Sequence, residues 1–291
     1  MPAAKGIANV AARMNPIGVF DSGIGGLTVV KALRELLPHE EIFYIGDTAR
    51  LPYGSKSPST VERYSLEIAQ LLVAQKAKMI VVACNSASAV ALPRLRETMT
   101  VPVIGVIEPG AAAAASATKN GRVGVIGTRA TIKSGAYERA LRSENETLQI
   151  TPLACPLLVP LIEEGWLRDE VTDRAIARYL APMIAARVDT LVLGCTHYPL
   201  LREAFARFLG PEVTLVDSAQ NCARAVAESL AAEHLASANE GQLTVALTDK
   251  PDAFLDVARE SLQLDLGEVQ IVSVEDRRLV CPARQASSPV E

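Results

Sequence analysis

No apolar stretch of this 291-residue chain approaches the ~18 residues that a membrane span needs, so no membrane association is expected. The N-terminal MPAAKGIANVAARMNP is small and mixed, without the apolar core of a secretory leader. There is no basic run, and the formal net charge is -4, so the electrostatic footprint of a nucleic-acid binder is missing. CxxC pairs are absent as well. The five cysteines, Cys84, Cys155, Cys195, Cys222 and Cys281, are odd in number and widely scattered. They read as free thiols of a cytoplasmic protein rather than as a disulfide framework. Only one histidine, His197, lies near a cysteine, and a catalytic zinc needs three protein ligands, so no metal is expected. DSGIGG at 21–26 would need glycine at 28 to become a dinucleotide fingerprint, and Thr28 stands there. No lysine has a convincing context for pyridoxal phosphate; Lys31, for example, falls inside a helical pattern. The chain is therefore expected to work without a cofactor.

What is present is an ordinary soluble composition, 49% hydrophobic and 21% charged, long enough for one large or two modest domains. Apolar runs at 17–21, 41–45, 78–83, 101–107, 121–127, 189–194, 212–217 and 242–248 read as strands. Most are apolar throughout, as strands covered on both faces should be. Between them, Val61, Tyr64, Ile68, Leu71 and Leu72 keep a helical period, as do Val171, Ala175, Ile176, Tyr179, Leu180, Met183 and Ile184. Strands alternating with helices predict an α/β fold with mainly parallel sheets.

The two halves echo each other. IGVFDSG near the start resembles VGVIGTR at 123–129, and VVACNSAS at 81–88 resembles LVLGCTHYP at 191–199. Asp21 precedes Cys84 by 63 residues, and Thr128 precedes Cys195 by 67. Two pseudo-symmetric α/β domains are expected, with a site in the cleft between them. The first would comprise 16–107 together with 218–280, because the strands of the last ~70 residues need a sheet to join. The second would comprise 108–217, with a boundary at Glu108-Pro109-Gly110 and a helix starting in the polyalanine run at 111–115. Residues 1–15 and 281–291 are expected to be flexible tails.

Ligands of open α/β sheets bind at the carboxyl ends of strands, where Asp21, Cys84, Thr128 and Cys195 all fall. A lone cysteine there is more often a small buried residue. Here each one stands where a strand should give way to a helix, followed by capping residues: Asn85-Ser86 in one half, Thr196 in the other. At a helix N-terminus a thiol is expected to become more acidic, and free amide groups there can hold a carboxylate. Asp21 can pair with an ammonium or orient a thiol, or merely form a turn. His197 reads as a proton partner for Cys195 or as a cap residue. Pro52-Tyr53-Gly54 is a turn or part of a pocket wall, and Glu163, after the apolar run CPLLVPLI, is either a solvated helix residue or a partly buried functional acid.

Taken in order, DSGIGG, GDTARLPYG, ACNSAS, VGVIGT, CPLLVPLIE and GCTHYPLL resemble the glutamate racemases of the aspartate/glutamate racemase superfamily, from about residue 16 to at least residue 220. The resemblance implies catalytic thiols at Cys84 and Cys195, assisted by Asp21 and His197 respectively, with Glu163 nearby. It implies a glutamate pocket formed by Asp21, Ser22, Pro52, Tyr53, Gly54, Asn85, Ser86, Thr128, Thr131 and Thr196. It also implies a homodimer that supplies D-glutamate for peptidoglycan. Ser86 departs from the family's usual threonine, keeping the hydroxyl and losing a methyl.

Two thiols suit racemisation, since one removes a proton from one face of Cα and the other returns a proton to the opposite face. The rival readings are a racemase of aspartate or another small amino acid, a thiol hydrolase or oxidoreductase, and a non-catalytic amino-acid-binding module. Only the racemases call for a matched cysteine in each half.

Overall fold

A computed structural model describes residues 13–238, 240–249, 254–274 and 278–280. β1 (Ile17–Asp21) leads into α1 (Leu27–Leu36). β2 (Ile42–Gly46) leads into two short 3-10 turns, Thr48–Arg50 and Tyr53–Ser55, and then α2 (Pro58–Ala74). β3 (Met79–Val82), α3 (Asn85–Thr98) and β4 (Val103–Gly105) follow. α4 (Ile107–Ala117) carries the chain to β5 (Arg122–Gly127), α5 (Arg129–Ser134), α6 (Ala136–Glu144) and β6 (Gln149–Ala154). Next come α7 (Leu158–Glu163), α8 (Glu170–Ala185), β7 (Thr190–Gly194), a 3-10 turn at Tyr198–Leu201, α9 (Arg202–Leu209) and β8 (Thr214–Asp217). α10 (Ser218–Ala232) brings the chain back to β9 (Leu243–Leu247), α11 (Phe254–Leu262), β10 (Gln270–Ser273) and β11 (Arg278–Val280).

These strands form two sheets. One has the order β11-β10-β9-β2-β1-β3-β4, with only β11 antiparallel, and the other the order β6-β5-β7-β8, parallel throughout. The α/β class with mainly parallel sheets is as the alternating pattern predicts. The repeat also appears in the topology, because β2-β1-β3-β4 and β6-β5-β7-β8 have the same order and direction. β1, β2, β3 and β7 are buried along their whole length, which explains their unbroken apolar runs.

Some boundaries differ from expectation. The strand expected over 101–107 is confined to Val103–Gly105, and α4 begins at Ile107. Glu108-Pro109-Gly110 therefore lies in its first turn, and the polyalanine run is its interior rather than its start. Proline costs little there because the first N–H groups of a helix have no intrahelical partner. No sequence pattern marks β6, which pairs only with β5, is partly exposed and contains Pro152. An edge strand tolerates both features. Residues 13–15, expected in the N-terminal tail, are tied down: Arg13 Nε donates to His234 O at 3.0 Å, and Lys78 Nζ to Arg13 O at 2.7 Å. Lys78 also pairs with Glu40 at 2.5 Å, both side chains almost fully buried. The remainder of both expected tails, 1–12 and 281–291, lies outside the described residues. Among the described residues no helix is long and apolar enough to cross a membrane.

Candidate active site

Each sheet has a point where its strand order reverses, between β1 and β3 in one and between β5 and β7 in the other. Loops leaving such a point diverge and leave a crevice at the carboxyl ends of the strands. Asp21 ends β1, Cys84 follows β3, Thr128 follows β5 and Cys195 follows β7. Ser22, Pro52, Tyr53, Gly54, Cys84, Asn85, Ser86, Thr128, Glu163, Cys195, Thr196 and His197 line one shared cavity. Two expected residues stand just behind this lining. Asp21 is fully buried beside Ser22, its Oδ2 accepting from Gly26 N at 2.8 Å. Thr131 is 3.4 Å from the Ser86 hydroxyl and 3.1 Å from that of Thr128. Gly23, Leu51 and Val159 complete the wall and were not foreseen. Val159 lies one helical turn before Glu163 on α7, a spacing the sequence does offer.

The halves meet closely here. Ser86 Oγ and Thr128 Oγ1 are 2.9 Å apart, and the Thr28 hydroxyl donates to Thr196 O at 3.2 Å. A Cβ added at Gly54 would stand 2.6 Å from Thr128 Cβ, and one at Gly25 would stand 2.5 Å from His197 Nδ1. Only glycine allows such approaches. The cavity that remains is about 30 Å3, space for about one water. That is far below the roughly 300 Å3 at which ligand pockets begin, so the side chains of the two halves nearly fill the crevice.

The two thiols have different surroundings. Cys84 caps α3, and its Sγ–H points to Ser22 Oγ at 3.7 Å. Burial pushes this thiol well up, and the Asp21 carboxylate adds to the rise, outweighing hydrogen bonds from Ala87 and Ser22. The expected acidification by a helix N-terminus is thus overturned at Cys84, because desolvation and a neighbouring anion dominate. Cys195 opens onto a bend and the Tyr198–Leu201 turn rather than an α-helix. Its Sγ is 3.8 Å from His197 Nδ1, and His197 Nε2 is 3.2 Å from Glu163 Oε1. Burial favours the neutral imidazole, but Cys195 and Glu163 together outweigh it and push His197 up to about 10. The imidazole is thus held between the thiol and the carboxylate. Cys84 therefore lies beside a carboxylate, and Cys195 beside an imidazole.

Beneath the Pro52–Gly54 wall, the Tyr53 hydroxyl donates to Asp47, which also receives Arg50 Nε at 2.7 Å and Thr248 Oγ1 at 2.9 Å. Asp47 is fully buried, and this anchoring of Tyr53 was not foreseen. Two buried polar atoms of the site have no hydrogen-bond partner: Asp21 Oδ1, an acceptor, and Asn85 Nδ2, a donor. Among the described residues no three His, Cys, Asp or Glu side chains converge as a metal site. Cys155 and Cys222 are buried free thiols, each pushed up to about 12 by burial, and neither lines the cavity.

A thiol from each of two related α/β halves, meeting at one cavity, is the arrangement of a two-base isomerase, and the class it defines is the racemases. The family model for Asp/Glu/hydantoin racemases matches residues 25–226. A glutamate racemase from Geobacter metallireducens is 52% identical over 261 residues, covering 89% of this chain and 97% of that protein. The crystal structure of a glutamate racemase isoform from Bacillus anthracis superposes with a TM-score of 0.86 at 38% identity, covering 90% of this chain and 98% of the other. That of the Francisella tularensis glutamate racemase, in complex with D-glutamate, superposes with a TM-score of 0.85 at 36% identity, covering 91% and 99%. The chain belongs to the Asp/Glu/hydantoin racemase family.

Proposed function

We propose that the protein is a glutamate racemase, interconverting L- and D-glutamate by direct proton transfer at Cα. The observation that carries this reading is that Cys84 and Cys195, one from each sheet, share one cavity. The Cys195 thiolate removes the Cα proton of L-glutamate, and the electron pair moves toward the carboxylate. The Cys84 thiol then delivers its proton to the opposite face, giving D-glutamate with the roles of the two sulfurs exchanged. Asp21 faces the substrate ammonium, and Asn85, with the hydroxyls of Ser86, Thr128 and Thr196, serves the carboxylates. Donors aimed at the carboxylate stabilise the carbanion-like transition state in a dry cleft. His197 and Glu163 hold the charge balance at Cys195. Two sulfurs suffice for the proton traffic, so no cofactor enters the scheme.

The names of the relatives support glutamate as substrate, and so does the D-glutamate bound in the Francisella structure. The same reading assigns 16–107 with 218–280 to one domain and 108–217 to the other. It places the protein in the cytoplasm as a homodimer, supplying D-glutamate for peptidoglycan. The test is circular dichroism of L- or D-glutamate with protein dialysed against chelator and freed of pyridoxal phosphate. Ellipticity should decay to zero from either enantiomer. Decay that requires added zinc or pyridoxal phosphate would remove the thiol-only scheme, and no decay would remove the function.

A further inference from the structure

We propose that Tyr137 is a positioning residue for this reaction: its phenol fixes the Asn85 amide so that Nδ2, and not Oδ1, is offered to the substrate carboxylate. The inference rests on the racemase reading above. Asn85 opens α3 in the first half, is 2% exposed and lines the cavity. Tyr137 lies on α6 in the second half and is equally buried. Its hydroxyl donates to Asn85 Oδ1 at 2.7 Å, while Asn85 Nδ2 is buried without a partner.

An asparagine amide has two ends of nearly equal size, one accepting and one donating, so its neighbours decide which way it faces. A phenol can donate or accept, and on its own it would tolerate either orientation. Here the phenol donates to Oδ1 at 2.7 Å, which leaves Nδ2 as the end of the amide without a protein partner. Burial keeps that proton in place by pushing the phenol well up. The ring has little freedom to turn away, since a Cβ at Gly194, the residue before Cys195, would stand 3.0 Å from Tyr137 Cε2. The amide donor is thus left facing a cleft with no protein acceptor. A buried donor in that state is costly, and an incoming carboxylate relieves the cost. Because Tyr137 and Asn85 come from different halves, the donor is set only when the cleft is closed.

Tyr137→Phe keeps the ring and removes the hydroxyl. With glutamate as substrate it should lower kcat/KM about tenfold, as expected for a misaimed carboxylate donor. Asn85→Ala should lower it further, and Tyr137→Phe added to Asn85→Ala should change it less than twofold, because the hydroxyl acts only through the amide. A single variant within twofold of the unmodified protein overturns the proposal. So does an equal loss in both backgrounds, which would mark a merely structural role. A second measurement needs no change at Tyr137. The Asn85 side-chain amide protons, assigned by their loss in Asn85→Ala, should shift and slow in exchange when D-glutamate is added; unmoved signals overturn the proposal. Racemisation by the unmodified protein is run alongside. Its absence counts against the function, whereas normal racemisation with an unaffected Tyr137→Phe counts against this inference alone.

Discussion

Glu163→Gln isolates the electrostatics around Cys195. Gln keeps an oxygen to accept from His197 Nε2, 3.2 Å away in the unmodified protein, and removes only the charge. His197 rises from an ordinary 6.5 to about 10, which at 1.36 kcal/mol per unit favours the imidazolium by about 5 kcal/mol. That gain is net of a burial penalty and is shared between Cys195 and Glu163. An opposite charge at this range contributes roughly 1–3 units, and Glu163, with 27% of its side chain exposed, belongs in the lower part, about 1–2 units. The variant should therefore titrate His197 at roughly 8–9. Since the folded value is raised, the ion pair's contribution to stability is complete below about 6.5 and lost as pH rises through about 10. The alkaline limb of kcat/KM should follow the same group and move down by about 1–2 units, identically in both directions because the enantiomers are equal in energy. At pH 7 the imidazolium survives in both proteins, so activity should stay within about fivefold. The chain has only three histidines, so a 15N titration of the His197 ring can be assigned directly. Superimposable alkaline limbs, with an unmoved ring titration, would refute the reasoning.

Cys84→Ser and Cys195→Ser should each cost 10²–10⁴ or more in racemisation, the usual loss for a general base. HCl elimination from 3-chloroglutamate needs deprotonation on one face only, so Cys195→Ser should retain it with the D-configured epimer and Cys84→Ser with the L-configured one. Either variant processing both epimers equally would show the facial assignment to be wrong. Limited iodoacetamide should label Cys84 or Cys195 before Cys155 or Cys222, with substrate protecting; inactivation that tracks label elsewhere, read by mass spectrometry, would reassign the site. Lys78→Met strands the buried Glu40 carboxylate and should cost about 3–5 kcal/mol. That corresponds to a melting temperature roughly 6–15 °C lower with kcat unchanged at 25 °C, and a drop under a degree would show the pair to be dispensable.

The sequence was most legible where function is written in contiguous runs. Asp21, Cys84, Thr128 and Cys195 each sit at a strand end, and strand ends of apolar, doubly covered strands stand out in a single chain. Tyr137 lacked any such mark. It is one tyrosine on an amphipathic helix, and its meaning lies in Asn85, 52 residues away. Asp47 was legible as a loop residue but not as the buried anchor of Tyr53, which depends on how the loop folds back. The direction of the Cys84 shift went against the helix-terminus argument because burial and the nearness of Asp21 are set by the tertiary structure. β6 escaped because a partly exposed edge strand needs neither continuous apolarity nor a free N–H at every position.

The return of the chain to its first sheet has a consequence for its synthesis. β5 to β8 span residues 122–217 without interruption, so that sheet has all its strands once Asp217 has emerged. The first sheet, begun at Ile17, must wait for Leu243–Leu247, because β9 lies between β2 and β10. On a ribosome moving from the N-terminus the inner unit can close first, while β2 keeps an uncovered edge through the making of almost two hundred further residues. An exposed parallel edge of this kind pairs readily with other chains. Losses in expression should therefore concentrate in changes that delay or weaken β9, even though that strand lies far from the cysteines.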